Sequence, residues 1–167
     1  MARRSHDAYL TPHWLVDALI AHLDADKLRE MVVCEPAAGD MRIFDKLEAK
    51  KKVWFEIQKE RDYLKYDIGR GRIDAHITNP PFSLAQEFIT KALGEASVVI
   101  MLQRVNFLGA EKRMQWWQDK LPTHLLVSSK RPSFTDDGKT DGQEYAWYVW
   151  DYEKTGLCAL PPGIHVI

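Results

Sequence analysis

The stretch that decides the fold is MVVCEPAAGD, residues 31–40. Its first half is short, apolar and rich in β-branched residues, which is typical of a buried strand. Its second half holds a proline, small residues and Gly39, which favour a tight turn. Ile43, Phe44 and Leu47 follow at helical spacing and predict a short helix. A strand, a turn and a helix in this order form the first unit of an α/β fold.

The alternation of strands and helices continues on both sides of this stretch. Residues 11–23 carry apolar side chains at helical spacing, and Pro12 suits the first turn of the helix that they predict. Two more helices are predicted over residues 84–93 and around residues 114–121. The remaining strands are predicted at residues 53–56, 75–78, 97–102, 125–127 and 145–150. This order predicts a mostly parallel sheet with helices on both faces.

Length and composition restrict the class of protein. The chain has 167 residues, 46% hydrophobic and 28% charged residues, and a net charge of -1. These values predict one globular domain, residues 1–167, and exclude wholesale disorder and a uniformly basic surface. The apolar stretches are too short for a transmembrane span, and no apolar signal core follows the basic start. Cys34 and Cys158 are far apart, so neither a disulfide scaffold nor a zinc site is expected, and we expect a cytoplasmic protein.

Ligands of such sheets bind at the carboxyl ends of the strands. The residues expected there are Glu35 with the turn at 36–40, Glu56, and the tetrapeptide at 79–82. The turn has one glycine and two nearby acids, so it suits a neutral or cationic ligand better than a diphosphate. Glu56 follows Glu35 by 21 residues, which is the spacing of a carboxylate that binds ribose hydroxyls. Alone, each feature has an ordinary alternative, namely a plain strand-to-helix turn and a solvated glutamate.

The tetrapeptide Asn79-Pro80-Pro81-Phe82 is the most specific feature. Its two prolines fix the backbone and lack N–H groups, so nearby carbonyl oxygens stay available as acceptors. The Asn79 side-chain carbonyl and a backbone carbonyl can together accept both hydrogens of a planar amine. Phe82 offers a face on which a planar ring can stack. A plain proline turn is the alternative, but the position after a buried strand at the ligand edge favours a site.

These residues resemble the S-adenosylmethionine-dependent amino methyltransferases, most closely the DNA N6-adenine methyltransferases. The tetrapeptide is similar to the family's catalytic motif, and residues 35–40 are similar to its methionine-binding turn. Residues 9–12 (YLTP) resemble the N-terminal cofactor element, and residues 62–64 (DYL) resemble the motif that binds the adenine end of the cofactor. The four motifs occur in the family's order. The resemblance implies a Rossmann-like class I methyltransferase with a seven-stranded sheet.

The resemblance also implies a cofactor, S-adenosyl-L-methionine, and a set of site residues without a metal. The implied catalytic residues are Asn79, Pro80, Pro81 and Phe82. The implied cofactor-binding residues are Tyr9, Thr11, Pro12, Glu35, Pro36, Ala37, Gly39, Glu56, Asp62, Tyr63 and Asn79. In this chemistry Asn79 and the Pro80 carbonyl accept the hydrogens of the adenine amine, and the target base is flipped out and stacked on Phe82.

Substrate contacts are expected near the catalytic motif and in the polar loop at residues 130–143. The expected substrate-binding residues are Phe82, Arg104, Lys130, Arg131 and Lys139. Members of the resembled family usually carry a separate target-recognition domain, whereas 16 residues follow Asp151 here. We therefore expect a minimal enzyme whose recognition of DNA is weak or comes from the loop, from a second copy of the chain or from a recognition subunit.

Other functions stay open from the sequence alone. The same chemistry serves an adenine in RNA or a glutamine side chain in a protein, although the N-terminal element and the motif order favour DNA. A non-catalytic subunit that binds the cofactor and supports a partner is another class of function, and the complete tetrapeptide counts against it. A nicotinamide dehydrogenase is disfavoured, because the second and third glycines of its binding turn are missing. No membrane partner is expected.

Overall fold

The computed structural model describes residues 9–135 and 139–167. The strands are β1 (Val32–Glu35), β2 (Lys51–Trp54), β3 (Ala75–Thr78), β4 (Val98–Arg104), β5 (His124–Val127), β6 (Tyr145–Trp150) and β7 (Gly163–Val166). The helices are α1 (His13–Ile20), α2 (Ala25–Glu30), α3 (Arg42–Lys46), α4 (Ala85–Glu95) and α5 (Met114–Trp117). Within the described ranges, no helix combines the length and the apolar character needed to cross a membrane.

All seven strands belong to one sheet, in the order β2-β1-β3-β4-β6-β5-β7. β1 pairs in parallel with β2 and β3, and β3 pairs in parallel with β4. β6 is antiparallel to both β4 and β5, while β7 is parallel to β5. The predicted α/β class and the seven-stranded, mostly parallel sheet are therefore confirmed. The strand order reverses between β1 and β3, which is the kind of switch point at which ligands bind in such sheets.

Two apolar cores cover the two faces of the sheet. Side chains along β4 alternate between them, so that Val99 packs in one core and Ile100 in the other, both fully buried. β6 is buried along its whole length. Its Trp147 donates from Nε1 to the Leu15 carbonyl oxygen at 3.1 Å, which ties α1 to the sheet. Packing on both faces leaves the carboxyl ends of the parallel strands as an accessible edge of this sheet.

Two elements lie outside the set predicted from the sequence. β7 carries Ile164 and Val166 in exposed positions, so it lacks the buried pattern that identifies a strand. α2 is six residues long, too short to show a helical period. Asp24 caps its start, since the Asp24 Oδ1 accepts hydrogen bonds from the N–H groups of Asp26 and Lys27 at 3.1 Å.

The bounds of several predicted elements also differ, most clearly those of α1, which covers His13–Ile20 within the predicted 11–23, and of β2, β4 and α5. β2 covers Lys51–Trp54 rather than residues 53–56, because an edge strand can keep lysine head groups in water. Glu56 therefore lies in the turn that follows the strand. β4 continues two residues further than predicted and ends at Arg104. α5 is only four residues long, and exposed Leu121 lies outside it.

Candidate functional site

A cavity of about 320 Å³ lies at the carboxyl ends of the first three strands. The turn after β1 contributes Pro36, Ala37 and Gly39 to its lining. The segment after β2 contributes Glu56, and Asn79 lines the cavity directly after β3. The sheet edge at which the sequence predicts a ligand therefore contains a cavity that three of the motifs share.

Two further predicted segments reach the same cavity. Tyr9 lines it from the N-terminal segment, and Asp62 and Tyr63 line it from the segment between β2 and β3. The Tyr63 hydroxyl donates to Glu95 Oε2 at 2.7 Å, so its polar end is held inside the protein. In total, eight of the predicted cofactor residues line one cavity. Their binding of a cofactor stays a prediction.

Three predicted cofactor residues, Thr11, Pro12 and Glu35, do not line the cavity. Thr11 is buried, and its hydroxyl oxygen accepts a hydrogen bond from Asn79 Nδ2 at 3.0 Å. The Pro12 carbonyl oxygen accepts from the Leu15 N–H at 3.0 Å where α1 begins. Thr11 therefore contacts the site through Asn79, whereas Pro12 lies at the start of α1 and contacts no residue of the cavity lining in the hydrogen bonds described.

The lining also includes residues that the sequence analysis did not single out. They are Leu10, Asp40, Ile57, Gln58, Leu64, Leu84 and Phe88. Ile57 is the clearest case, since it is 52% exposed immediately after Glu56. Exposure of an apolar side chain is not visible in a sequence, so only its position after the acid could have drawn attention to it. Leu84 and Phe88 are four residues apart and share one side at the start of α4.

The Asn79 side chain is held in one orientation. Its Nδ2 donates to the Tyr9 carbonyl oxygen at 3.1 Å and to Thr11 Oγ1 at 3.0 Å, so both amide hydrogens are used. Its Oδ1 is buried and has no hydrogen-bond partner among the described residues. An unsatisfied buried acceptor destabilises a fold by about 1–3 kcal/mol. Asn79 therefore presents a fixed acceptor that a bound donor can satisfy.

The other residues of the tetrapeptide take different places. Pro80 is buried, and Pro81 lines the cavity. The Pro81 carbonyl oxygen accepts from the Leu84 N–H at 2.9 Å, which starts the turn that leads into α4. Phe82 is half-buried and lies outside the cavity lining, on the side of the loop predicted to contact substrate.

Glu56 stabilises the turn that follows β1 through hydrogen bonds to backbone N–H groups. Its Oε2 accepts from the Gly39 N–H at 2.7 Å, and its Oε1 accepts from the Gln58 N–H at 3.0 Å. Gly39 has a φ of 51°, a left-handed conformation that glycine adopts without strain. Each carboxylate oxygen can accept a second hydrogen bond. Glu56 therefore shapes the turn and can still accept hydrogen bonds from a ligand in the cavity.

Glu35 is a buried carboxyl group with incomplete hydrogen bonding. It is 2% exposed, and its Oε2 has no partner in the described part of the chain. Burial raises the pKa of Glu35 well above its ordinary value, and the Phe44 N–H opposes this change. The nearby carboxyl groups of Asp40, Asp45 and Glu56 raise the pKa further. A cationic or hydrogen-bond-donating ligand group would therefore be stabilised near Glu35.

Phe82 belongs to a group of four rings, Tyr9, Phe82, Phe134 and Tyr145, which we call the aromatic group. The Phe82 centroid lies 5.1 Å from that of Tyr9, 5.6 Å from that of Tyr145 and 6.2 Å from that of Phe134. The Arg104 guanidinium carbon lies 5.2 Å from the Phe82 centroid, within the range of a cation–π contact. Because Phe134 comes from the predicted substrate loop, that loop and the predicted catalytic motif meet here.

The basic residues predicted to contact substrate differ in their surroundings. Arg104 is directed toward the aromatic group. Arg131 Nε donates to Glu144 Oε1 at 3.0 Å, and both side chains are 55% exposed. Lys130 and Lys139 are exposed on the loop. Substrate contact by these four residues stays a prediction.

No protein-family profile and no curated protein matches the sequence. The solved structures that are similar to the chain in their fold include the following two. One is a protein of Pyrococcus horikoshii, provisionally assigned as an RNA methyltransferase, with a TM-score of 0.59 and 19% identity, covering 82% of this chain and 79% of that chain. The other is a dimethyladenosine transferase of Plasmodium falciparum, with a TM-score of 0.55 and 14% identity, covering 84% of this chain and 62% of that chain. The likeness extends to the fold alone, and the chain has the Rossmann-like methyltransferase fold.

Proposed function

We propose that this chain is an S-adenosylmethionine-dependent methyltransferase that modifies the exocyclic N6 amine of adenine in a nucleic acid. The observation that carries the proposal is the buried Asn79 Oδ1, which lacks a hydrogen-bond partner in the described residues. The two amide hydrogens of the same side chain are held by Tyr9 and Thr11, so the oxygen is fixed in place. A preorganised acceptor directly before two prolines and a phenylalanine suits a planar amine.

The cavity fits the proposed cofactor. Its volume of about 320 Å³ falls within the range of small-ligand sites, about 300–1,000 Å³. Glu56 would accept hydrogens from the ribose hydroxyls, and Glu35 would stabilise the cationic methionine end. The exposed Ile57 side chain would pack on the adenine ring. When bound, S-adenosylmethionine supplies a methyl group that its sulfonium charge already activates.

Residues of this chain would position and polarise the acceptor amine. Asn79 Oδ1 accepts one amine hydrogen and the Pro80 carbonyl oxygen accepts the other, which moves the nitrogen from planar toward tetrahedral geometry. The nitrogen lone pair is then less delocalised into the ring, so it can form the new C–N bond while the C–S bond breaks. The nitrogen would afterwards release one proton to water, and the demethylated thioether form of the cofactor would leave. Holding both reactants in this geometry supplies a large part of the rate enhancement.

An adenine inside a duplex cannot reach this site while it stays stacked. Enzymes that act on a base therefore extrude it or use a single-stranded substrate, at a free-energy cost of a few kcal/mol for extrusion. Phe82, three residues after Asn79, would receive the face of the extruded base. The proposal thus predicts that unpaired or single-stranded adenines are methylated more readily than paired ones.

DNA and RNA are both candidates for the nucleic acid. The motifs that resemble the DNA N6-adenine methyltransferases favour DNA. The similarity of fold to a protein assigned as an RNA methyltransferase favours RNA, and this makes RNA at least as strong a candidate. In either case Lys130, Arg131 and Lys139 would supply contacts to phosphates.

Product analysis tests the proposed function. The protein is incubated with methyl-labelled S-adenosylmethionine and, in separate reactions, with duplex DNA, single-stranded DNA, RNA or a protein mixture. Nucleoside and amino-acid analysis should locate the label on adenine N6 from a nucleic acid, and Asn79→Ala should abolish it. Label on glutamine would instead support protein methylation. Cofactor binding without transfer to any substrate would contradict the proposal and support a non-catalytic, cofactor-binding subunit.

A further inference from the structure

Three polar side chains beside the aromatic group, Arg104, Tyr145 and Asp141, form one connected network. The Tyr145 hydroxyl accepts from Arg104 Nε at 3.1 Å and donates to Asp141 Oδ2 at 2.6 Å. Arg104 Nη2 lies 3.8 Å from the same Asp141 oxygen. Since the three residues come from the end of β4, the start of β6 and the loop at 130–143, the network joins all three segments.

Burial makes Tyr145 suitable as the link in this network. The residue is fully buried, and burial raises the pKa of its phenol, an effect that Arg104 opposes and Asp141 reinforces. The phenol therefore stays protonated at neutral pH and can donate to the Asp141 carboxylate. The Arg104 guanidinium in turn lies over the Phe82 ring. The network thus reaches the residue on which the target base is proposed to stack.

Tyr145 contacts two separate parts of the loop, one through its ring and one through its hydroxyl. Phe134 is 4% exposed, and its ring centroid lies 4.8 Å from that of Tyr145. Asp141 is tied through its side chain to Tyr145 and through its N–H to the Pro132 carbonyl oxygen at 2.8 Å. Phe134 meets Phe82 edge to face, at an interplanar angle of 75°. The position of the loop relative to Phe82 therefore depends on this network.

We propose that Arg104, Tyr145 and Asp141 are positioning residues that fix the loop against Phe82 and so set the space for the target base. The inference rests on the proposed function. It gives Arg104 a task other than the phosphate contact expected from the sequence. Its guanidinium is engaged by Tyr145 and Asp141 through two nitrogens and covers Phe82, so it orients groups of this chain.

Because the three side chains form one network, loss of any one of them should loosen the same contact, that between the loop and Phe82. Tyr145→Phe removes the hydroxyl and keeps the ring, and Asp141→Asn keeps the size and removes the charge. The double variant should be no worse than the more severe single variant, since coupled residues are not additive. Tyr152→Phe is the matched control, because it removes a hydroxyl that donates to the Leu121 carbonyl oxygen at 2.7 Å beyond the other end of β6.

Steady-state kinetics on the nucleic acid that the wild-type protein methylates give the first test. Tyr145→Phe and Asp141→Asn should each raise KM for that nucleic acid about 5- to 10-fold, which corresponds to the free energy of one hydrogen bond. Cofactor affinity should stay within about twofold, because the network does not line the cavity. Tyr152→Phe should behave as wild type. Additive losses, or an equal loss of cofactor affinity, would indicate a general structural defect and overturn the proposal.

The salt dependence of binding separates positioning from phosphate contact. A lost phosphate contact lowers the magnitude of the log–log salt slope by about 0.9 on duplex DNA and about 0.7 on a single strand. Arg104→Gln should keep the wild-type slope, and its KM defect should not add to that of Asp141→Asn. Arg104→Lys should be equally impaired, since lysine keeps the charge but lacks the planar fork. A reduced slope in Arg104→Gln with full rescue by Arg104→Lys would overturn the proposal.

Hydrogen exchange, measured on the protein without substrate, tests the positioning role independently of methyl transfer. The Asp141 N–H that donates to Pro132 should exchange faster in Tyr145→Phe and at the wild-type rate in Tyr152→Phe. Unchanged exchange together with an unchanged KM would overturn the positioning role while methyl transfer itself stands. If the wild-type protein methylates no nucleic acid, the proposed function fails, and the positioning role fails with it.

Discussion

Glu35 and Glu95 are both buried carboxyl groups, but their surroundings are opposite. Glu95 is 6% exposed and accepts from the Tyr63 hydroxyl and the Lys91 ammonium group, each at 2.7 Å. His76 Nε2 lies 3.1 Å from Glu95 Oε2. We call these four residues, Tyr63, His76, Lys91 and Glu95, the Glu95 cluster. Glu35 is 2% exposed, yet one of its oxygens has no partner in the described ranges.

The pKa values of the two groups move in opposite directions for this reason. Burial opposes the ionisation of Glu95, but the contacts of the Glu95 cluster outweigh it and lower its pKa to about 2. Burial raises the pKa of Glu35, with the Phe44 N–H as the opposing contact. Both oxygens of Glu95 have partners, which favours its charged form in the folded protein. A buried acceptor without a partner, as at Glu35 and Asn79, is a group that a ligand can satisfy.

The largest expected effect of a substitution is at Asn79. Asn79→Ala removes the fixed acceptor and should lower kcat for methyl transfer at least about 100-fold. Cofactor affinity should stay within a few-fold, and the free energy of unfolding should change little, because the lost Nδ2 hydrogen bonds are offset by removal of the unsatisfied Oδ1. Thr11→Val, which removes one acceptor that orients Asn79, should lower kcat by a smaller factor. Single-turnover kinetics measure both, and normal turnover in Asn79→Ala would refute its assigned role.

The next effect concerns Glu56, whose oxygens are partnered but still accessible to a ligand. Glu56→Ala should weaken binding of S-adenosylmethionine or its demethylated product by on the order of 2–4 kcal/mol, through loss of two charge-assisted hydrogen bonds. Glu56→Gln keeps the shape and one acceptor and should lose about half of that amount. Calorimetric titration gives the affinities. Affinity unchanged in both variants would assign the ribose to another residue.

Acid unfolding should separate the two buried carboxyl groups. The pKa of Glu95 is lower in the folded protein than the ordinary value of 4.5, so the unfolded chain binds more protons as the pH falls below that value. Stability is therefore lost as the pH falls from about 4.5 toward 2, by about 2 kcal/mol at pH 3 from this group alone. Glu35 has a raised pKa, so its contribution has the opposite sign and a different window: stability is gained as the pH falls from that raised pKa toward 4.5, above the range in which Glu95 acts. In denaturant titrations, Glu95→Gln should flatten the loss of stability below pH 4.5, and Glu35→Gln should remove the gain of stability on acidification above pH 4.5. The reverse pattern would contradict the two assignments.

The smallest expected effect belongs to the basic residues of the loop. With a net charge of -1, the protein should bind nucleic acid modestly. Contacts from Lys130, Arg131 and Lys139 should give a log–log salt slope of roughly -2 to -4, at about -0.9 per neutralised phosphate of duplex DNA. Their joint replacement by alanine should bring the slope toward zero, while Glu35→Gln should leave it unaltered. Anisotropy titrations at several salt concentrations measure the slope, and an unaltered slope in the triple variant would indicate contacts elsewhere, such as a second subunit.

Sequence patterns predict the buried strands and the meeting of the motifs, because both follow from simple rules. A continuous apolar run indicates a strand that is buried on both faces of the sheet. The strands β1, β3, β4 and β6 are therefore predicted near their observed positions. The motif segments meet because the carboxyl ends of neighbouring parallel strands share one edge. Edge strands show this continuous apolar pattern less clearly. β7 has exposed Ile164 and Val166, and β2 begins with two lysines, so neither has the expected pattern along its full length.

Features that depend on partners distant in the chain could not be predicted. Glu95 lies at the end of an amphipathic helix, where a glutamate is usually solvated, and only the fold brings Tyr63 to it across 32 positions. Phe134 lies in a polar loop, and its burial against Tyr145 depends on how that loop returns to the sheet. The unsatisfied oxygen of Asn79 likewise becomes evident only after Tyr9 and Thr11 are placed.

The most direct test of the comparison is the free energy of unfolding of Glu35→Gln and Glu95→Gln, measured side by side at pH 7. Both variants make the same carboxyl-to-amide change at a buried position. Glu95→Gln should lose about 3 kcal/mol, because the Lys91 ammonium group loses its charged partner. Glu35→Gln should leave stability unchanged or raise it, while it weakens cofactor binding. Equal losses in both variants, with cofactor affinity unchanged in Glu35→Gln, would contradict the division between a structural and a ligand-binding carboxyl group.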